Sequence, residues 1–223
     1  MHDDQPLAAR SITLLGGGPV DPHQLHQALA LAPTLVAADG GAEHAHHLDL
    51  PVTKIVGDLD SLTNLQFWRD QGVDLVKIDE QDSTDFEKCL YTVEADVYIG
   101  VGFLGRRLDH TLACLRTLAA YPKKRVVLVG DGDVTFLCPM VFNIDLPAMT
   151  RVSIFPMAPV TCGPSHGLRW PLEGLEMVPD GQIGTSNQAL GGTVNVQFSD
   201  AAALMVLPVE ELGNVVTCLL RAP

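Results

Sequence analysis

The chain has 223 residues, and its 47% hydrophobic content is enough for one large domain or two small ones with a real core. Its 27 acidic residues outnumber 14 basic ones, and the net charge of −13 argues against nucleic acid or an anionic membrane as partner, because no basic stripe can neutralise phosphates. The start of the chain resembles no signal peptide, no apolar run nears the ~20 residues of a membrane span, and five scattered cysteines favour buried thiols, so we expect a cytoplasmic protein.

Up to residue 137, short apolar runs alternate with helical stripes. Strands are predicted at residues 11–15, 34–38, 54–56, 74–78, 97–99 and 125–129. Helices are predicted near residues 22–31, 43–49, 62–71, 85–95 and 109–120. Strands that alternate with helices imply crossover connections, so we expect residues 1–137 to form an α/β domain with a mainly parallel sheet.

The best-marked helix begins at Thr84. Thr84 and Glu87 match the T-x-x-E capping box, which places Asp85 in the first turn, beside the positive end of the helix. An apolar stripe with helical spacing follows, formed by Phe86, Cys89, Leu90 and Val93.

The pattern changes at about residue 138. Helical stripes give way to prolines, glycines and alternating residues, as in 193–198, and residues 151–155 and 203–207 indicate further strands. We expect residues 138–223 to form a β-rich domain, an antiparallel sandwich or barrel, with residues 138–147 as the linker. The predicted fold class is therefore α/β followed by all-β.

Two acidic clusters follow predicted strands. In the first, Asp58 and Asp60 come directly after the run 54–56, and side chains two apart on an extended segment point the same way. Two ionised carboxylates about 5 Å apart repel by roughly 3 kcal/mol at an effective dielectric near 20, so a compensating cation is expected. Mg²⁺ is the usual cation for such oxygen ligands, and magnesium sites of this kind commonly bind phosphate. The second cluster, residues 81–85, carries Asp82 and Asp85.

Polar residues follow four predicted strands, where ligands bind in open parallel sheets. Besides the two acidic clusters, these are the Asp-Gly-Gly at 39–41 and the glycine- and arginine-containing segment 102–109. For three further features the sequence leaves two interpretations open. The glycines at 16–18 either approach a phosphate or turn the chain, Arg106 and Arg107 are either solvated or a phosphate clamp, and Trp170 is either core or a stacking platform for a cationic heterocycle. For His44, His46 and His47 a solvated helix face is favoured over a metal cluster.

With these motifs the chain resembles the thiamine pyrophosphokinase family. The matching segments occur in the same order over nearly the whole chain, at residues 38–42, 57–61, 82–88, 102–110, 167–172 and 184–187. The resemblance implies Mg²⁺-dependent transfer of pyrophosphate from ATP to the hydroxyl of thiamine, giving thiamine pyrophosphate and AMP. It also implies a homodimer whose active sites are shared between subunits.

The resemblance also implies roles for individual residues. The implied Mg²⁺ ligands are Asp58, Asp60 and Asp85, and the implied catalytic residues are these three with Arg107 and Asp109. The implied ATP-binding residues are Asp39, Ser61, Thr84, Lys88, Arg107 and Asp109. The implied thiamine-binding residues are Trp170, Ser186 and Asn187. The chain departs from the family pattern at Glu43, where many members have Asn, so Glu43 is assigned no role.

Two alternative functions remain open. Residues 55–61 also resemble the strand and D-x-D signature of haloacid-dehalogenase-type phosphatases, with Asp58 as the nucleophile. Residues 127–131 also resemble the later strand-Gly-Asp element of these phosphatases, but that element requires a second acid four residues after Asp131, where this chain has Thr135. The phosphatase interpretation also leaves the Asp-Gly-Gly and the Trp170 loop unexplained. The second alternative is a non-catalytic module that binds nucleotide and thiamine.

Overall fold

The computed structural model describes residues 7–60 and 62–222. The chain divides into two compact units, Met1–Cys114 (unit 1) and Leu115–Pro223 (unit 2), and the division falls within one helix. The domain boundary at residue 137 that the sequence suggested remains a prediction.

Unit 1 contains a parallel sheet. Its strands are β1 (Leu7–Leu15), β2 (Thr34–Ala38), β3 (Lys54–Gly57), β4 (Asp74–Lys77) and β5 (Val93–Val101). They lie in the order β5-β1-β2-β3-β4, and every pair in this series is parallel. All four residues of β3 are buried, as expected for a strand of a parallel sheet covered on both faces.

Helices connect these strands in chain order, and a further helix follows β5. They are α1 (Pro22–Leu31), α2 (Gly41–His47), α3 (Leu65–Asp70), α4 (Asp85–Thr92) and α5 (Leu108–Ala120). The predicted capping box is confirmed, since the Thr84 hydroxyl accepts a bond from Glu87 N and the Glu87 carboxylate accepts one from Thr84 N. The predicted end of α4 at residue 95 was wrong. β-Branched Val93 already belongs to β5, where it pairs with Leu7.

Unit 2 contains the antiparallel strands. They are β6 (Val126–Val129), β7 (Asp133–Leu137), β8 (Val141–Leu146), β9 (Arg151–Pro156), β10 (Val160–Thr161), β11 (Glu176–Met177), β12 (Gly184–Gln188), β13 (Gly192–Gln197) and β14 (Ala203–Pro208). The sheet order is β12-β9-β14-β7-β6, while β8 pairs with β13 and β10 with β11. The predicted class, α/β followed by antiparallel β structure, is confirmed.

Two local expectations in unit 2 were wrong. The predicted linker 138–147 contains β8, whose buried and exposed residues alternate along its whole length because it is half-buried against its neighbours. The expectation that apolar stripes with helical spacing end at about residue 138 was also wrong. Helix α6 (Leu212–Arg221) buries a stripe with helical spacing, formed by Leu212, Val215, Val216 and Leu219.

The helices of the described residues, 7–60 and 62–222, are all too short or too polar to cross a membrane. The five cysteines are thiols, as the sequence predicted, and only Cys218 is more than slightly exposed.

Candidate functional site

The ends of four parallel strands in unit 1 border one cavity. The cavity has a volume of about 650 Å³, and its lining includes residues that follow β1, β2, β3 and β5. The loop before α4 and the start of α4 also contribute to this lining. The sequence-based expectation that polar residues meet at one edge of the sheet is therefore borne out for this part of the chain.

Glycines allow close backbone packing near this cavity. A Cβ atom added to Gly41 would lie 1.9 Å from the carbonyl oxygen of Leu15, and one added to Gly16 would lie 2.5 Å from that of Gly102. Side chains at these positions would displace main chain. The glycine segment 16–18 lines the cavity, and the interpretation that its backbone approaches a phosphate stays a prediction.

Three carboxylates lie together at this edge. Ligand oxygens of Asp39, Asp58 and Asp60 all lie within 4.8 Å of one another, and Asp39 is buried while Asp60 is exposed. We call Asp39, Asp58 and Asp60 the carboxylate cluster. It arises because Asp39 follows β2 and the other two follow β3, its parallel neighbour.

The backbone conformation between Asp58 and Asp60 differs from the extended segment that the sequence suggested. Leu59 has a φ of 63°, a left-handed conformation that is rare for a non-glycine residue. The chain turns there, and the amide of Asp60 donates a hydrogen bond to Asp58 Oδ1 at 3.3 Å. The absence of a side chain at Gly57 is also needed, since an added Cβ would lie 2.7 Å from the Cβ of Asp39.

The electrostatics of the cluster follow from this geometry. The backbone hydrogen bond from Asp60 lowers the pKa of Asp58. The pKa of Asp60 is raised, first by its side-chain hydrogen bond with Asp58 and then by the charge of that carboxylate. Three hard oxygen donors this close together, one of them buried, fit a small divalent cation such as Mg²⁺.

Asp85 lies at the start of α4 and lines the cavity. Among the described residues it is outside the carboxylate cluster, and its Oδ1 lies 3.4 Å from the ammonium of Lys88. Burial raises the pKa of Asp85, while Lys88 opposes that shift. In the preceding loop, Gln81 Nε2 donates to Asp58 Oδ2 at 3.4 Å, which links this loop to the cluster.

The remaining residues assigned to ATP have different surroundings. Arg107 lines the cavity and makes two hydrogen bonds to Asp109, the shorter at 2.6 Å, with both side chains largely exposed. Thr84 and Lys88 line the cavity as well, and the Lys88 side chain is buried. Ser61 lies outside the described residues.

The residues assigned to thiamine lie in unit 2. The Trp170 side chain is 51% exposed, which favours a stacking platform over a core position, and the guanidinium carbon of Arg169 lies 4.9 Å from its ring centroid. Asn187 is buried, and its side chain accepts from Trp170 N at 3.1 Å and donates to Trp170 O at 2.7 Å. Ser186 adjoins it and has a φ of 61°.

Sequence reasoning missed His44. Its Nε2 lies 2.8 Å from the carbonyl oxygen of Gly18, and the side chain lines the cavity, so a fully solvated helix face does not describe this histidine. The signal was its spacing, because His44 follows Gly40 by four residues and shares its side of α2. Gln81 was also missed. Its amide contact depends on the fold of a loop, which has no periodic signature.

Two family models match consecutive parts of the chain. Residues 25–129 match "Thiamin pyrophosphokinase, catalytic domain", and residues 141–202 match "Thiamin pyrophosphokinase, vitamin B1 binding domain". The chain belongs to the thiamin pyrophosphokinase family. The carboxylate cluster and most of the cavity lining lie in the part of this family member that matches the first model, while the glycine segment 16–18 precedes it. Trp170 lies in the part that matches the second model.

Curated relatives of this family member include two plant proteins. It is 27% identical to thiamine pyrophosphokinase 1 of Arabidopsis thaliana, over 71% of this chain and 66% of the relative. It is 29% identical to thiamine pyrophosphokinase 1 of Oryza sativa subsp. japonica, over 64% of this chain and 61% of the relative. The chain thus spans just under two thirds of the length of these relatives.

Solved structures share the fold of this family member. The thiamin pyrophosphokinase from Candida albicans matches with a TM-score of 0.76 at 17% identity, over 91% of this chain and 93% of that chain. The yeast thiamin pyrophosphokinase matches with a TM-score of 0.77 at 17% identity, over 91% and 88%.

Proposed function

We propose that this protein is a thiamine pyrophosphokinase. It transfers the pyrophosphoryl group of ATP to the hydroxyl of thiamine and requires Mg²⁺, and the products are thiamine pyrophosphate and AMP. The carboxylate cluster at the edge of a cavity of about 650 Å³ is the observation that carries this proposal. The matches to both family models and the names of the plant relatives support it.

The carboxylate cluster would hold the magnesium ion. Asp58 and Asp60 were assigned to the metal from the sequence, and the position of Asp39 supports adding it to them. Asp85 faces the same cavity and would act as a further ligand. A bound Mg²⁺ supplies positive charge that offsets the charge of the ATP phosphates.

The other cavity residues bind and align the nucleotide. Lys88 and Arg107 carry positive charge on this cavity and would contact phosphate oxygens, with Arg107 suited to bidentate contacts. The rest of the proposed ATP site consists of Asp39, Ser61, Thr84 and Asp109. The protein thereby holds the β-phosphorus in line with the incoming alcohol, and alignment and charge stabilisation supply most of the catalysis.

In the transfer step, the hydroxyl oxygen of thiamine forms a bond to the β-phosphorus of ATP. The bond from that phosphorus to the oxygen shared with the α-phosphate breaks, and AMP leaves with this oxygen. The proton of the hydroxyl is released. Asp85 and Asp109 are the proposed acceptors for this proton, and a comparison of their variants would separate them.

Thiamine recognition is assigned to the Trp170 loop. The thiazolium ring of thiamine is permanently cationic, and the half-exposed indole of Trp170 offers a face on which a cation gains roughly 0.5–2 kcal/mol. Ser186 and Asn187 complete the proposed thiamine site. We also propose that the protein acts as a homodimer with shared active sites, and that it is cytoplasmic, which its free thiols support.

The proposal is tested by incubating the purified chain with ATP, Mg²⁺ and thiamine and quantifying AMP and thiamine pyrophosphate. Equal amounts of both products are expected. Phosphate release from ATP or sugar phosphates without thiamine would favour the phosphatase alternative. Binding of both ligands without AMP formation would favour the non-catalytic module.

A further inference from the structure

Glu43, the position at which the chain departs from the family pattern, makes a specific contact. Glu43 Oε1 accepts a hydrogen bond from the backbone amide of Thr63 at 3.2 Å and another from its hydroxyl at 2.7 Å. Glu43 lies in the first turn of α2, four residues after Asp39. Thr63 lies three residues after Asp60. This carboxylate therefore joins the two segments that carry the carboxylate cluster.

The contact with Thr63 stabilises the ionised form of Glu43. The hydrogen bond from the Thr63 hydroxyl lowers the pKa of Glu43, with smaller contributions from the Thr63 amide and from His46 and His47, so the carboxylate is ionised at neutral pH. Among the described residues, Glu43 is not a member of the carboxylate cluster. An ionised acceptor with two donors on one residue is a stronger link than a neutral side chain would make.

The cluster needs such a link because its members repel one another. Asp39 and Leu59 lie at turns with φ values of 36° and 63°, and these turns bring the negative charges to within 4.8 Å. Like charges at this distance push the two segments apart whenever no cation lies between them. A hydrogen-bonded contact from α2 to Thr63 opposes that separation.

We propose that Glu43 is a positioning residue that, through Thr63, holds the Asp58–Asp60 loop at cation-binding distance from Asp39. The inference rests on the proposed function in one respect, namely that the carboxylate cluster is a divalent-cation site. Glu43 itself does not touch the cation. It sets the spacing of the ligands that do, as residues around metal ligands commonly do.

The test measures Mn²⁺ binding to the full chain without nucleotide, from the paramagnetic resonance signal of free Mn²⁺. Residues outside the ligand set typically change metal affinity 10–100-fold, and we expect Glu43→Ala to weaken binding about tenfold, at the low end of that range. Glu43→Gln keeps the Oε1 acceptor and should stay within about threefold of the wild type. Thr63→Val removes one of the two donors and should cost about threefold, and Thr63→Ser should restore binding.

A double variant and a control complete the design. Because both changes break the same contact, Glu43→Ala combined with Thr63→Val should bind Mn²⁺ no more weakly than Glu43→Ala alone. Glu210→Ala removes an exposed glutamate of unit 2 and should bind as the wild type does. Circular dichroism melting identifies any variant that fails to fold. If Glu43→Ala fails to fold, Thr63→Val, with its expected threefold loss of affinity, decides the question.

Two results would overturn the inference. One is unchanged Mn²⁺ affinity in Glu43→Ala. The other is Glu43→Gln as weak as Glu43→Ala with Thr63→Val normal, which would make the Glu43 carboxylate a direct ligand. If the variants show the expected pattern of Mn²⁺ affinities but the wild type forms no AMP with thiamine, the proposed function fails and this inference stands. A wild type that binds no Mn²⁺ contradicts both.

Discussion

Replacing Asp39 by asparagine should have opposite effects on the metal-free protein and on its response to Mg²⁺. Asp39 is buried, and its oxygen lies within 4.8 Å of one from Asp58. For this pair the Coulomb repulsion is about 1 kcal/mol at the dielectric of water and about 3 kcal/mol at an effective value near 20. Because Asp58 is partly exposed, solvent screening puts the relief in Asp39→Asn near the lower end, at about 1 kcal/mol.

The assay is thermal unfolding with a chelator and again with saturating Mg²⁺. A gain of about 1 kcal/mol corresponds to a Tm increase of roughly 2–4 °C for a chain of this size, so metal-free Asp39→Asn should melt above the wild type. Mg²⁺ should raise the Tm of the wild type, because it binds only the folded state, and should have little effect on the variant. Asp96→Asn, at an exposed position of β5, is the matched control and should behave as the wild type in both conditions.

The reasoning is refuted if metal-free Asp39→Asn melts below the wild type while keeping the full Mg²⁺ response. That result would mean that Asp39 stabilises the fold through other contacts and that the cation lies elsewhere. A lower Tm together with a lost Mg²⁺ response would retain the metal site but reject the calculated repulsion.

Three further predictions follow from the same geometry. Asp60→Asn should lower the rate of AMP formation by orders of magnitude with an unchanged circular dichroism spectrum, and near-normal turnover at saturating Mg²⁺ would remove Asp60 from the metal site. Trp170→Ala should weaken thiamine binding about 2–30-fold in calorimetry and spare ATP, since a stacked cation gains roughly 0.5–2 kcal/mol; unfolding of this variant would instead restore the core interpretation. Gly41→Ala should lower the free energy of unfolding in urea by about 1–3 kcal/mol or more, because its Cβ would lie 1.9 Å from the carbonyl oxygen of Leu15, and an unchanged midpoint would show that β1 and α2 can separate at little cost.

Much of the site could be predicted because it depends on topology. The apolar runs of the first half locate the strands of the parallel sheet, and the ends of parallel strands lie at one edge. Asp39 and Asp58 follow β2 and β3, which are neighbours in the sheet, so their approach needs only the correct strand order. The capping box at Thr84 is equally local and was confirmed.

Other details depend on contacts that no periodic pattern records. The left-handed turn at Leu59 decides how Asp58 and Asp60 meet, and the Glu43–Thr63 contact requires the positions of two separate segments. Helix α6 is a different case, because its apolar stripe is present in the sequence but follows a long stretch of strands. The change from helix to strand at Val93 has no intervening turn residues to mark it.

The position of the bound cation tests the central claim most directly. Crystals grown with Mn²⁺ and a non-hydrolysable ATP analogue would locate the metal by its anomalous scattering. We expect a peak coordinated by Asp39, Asp58 and Asp60, with phosphate oxygens of the nucleotide on its other side. A peak held by other residues, or nucleotide bound away from the carboxylate cluster, would contradict the account.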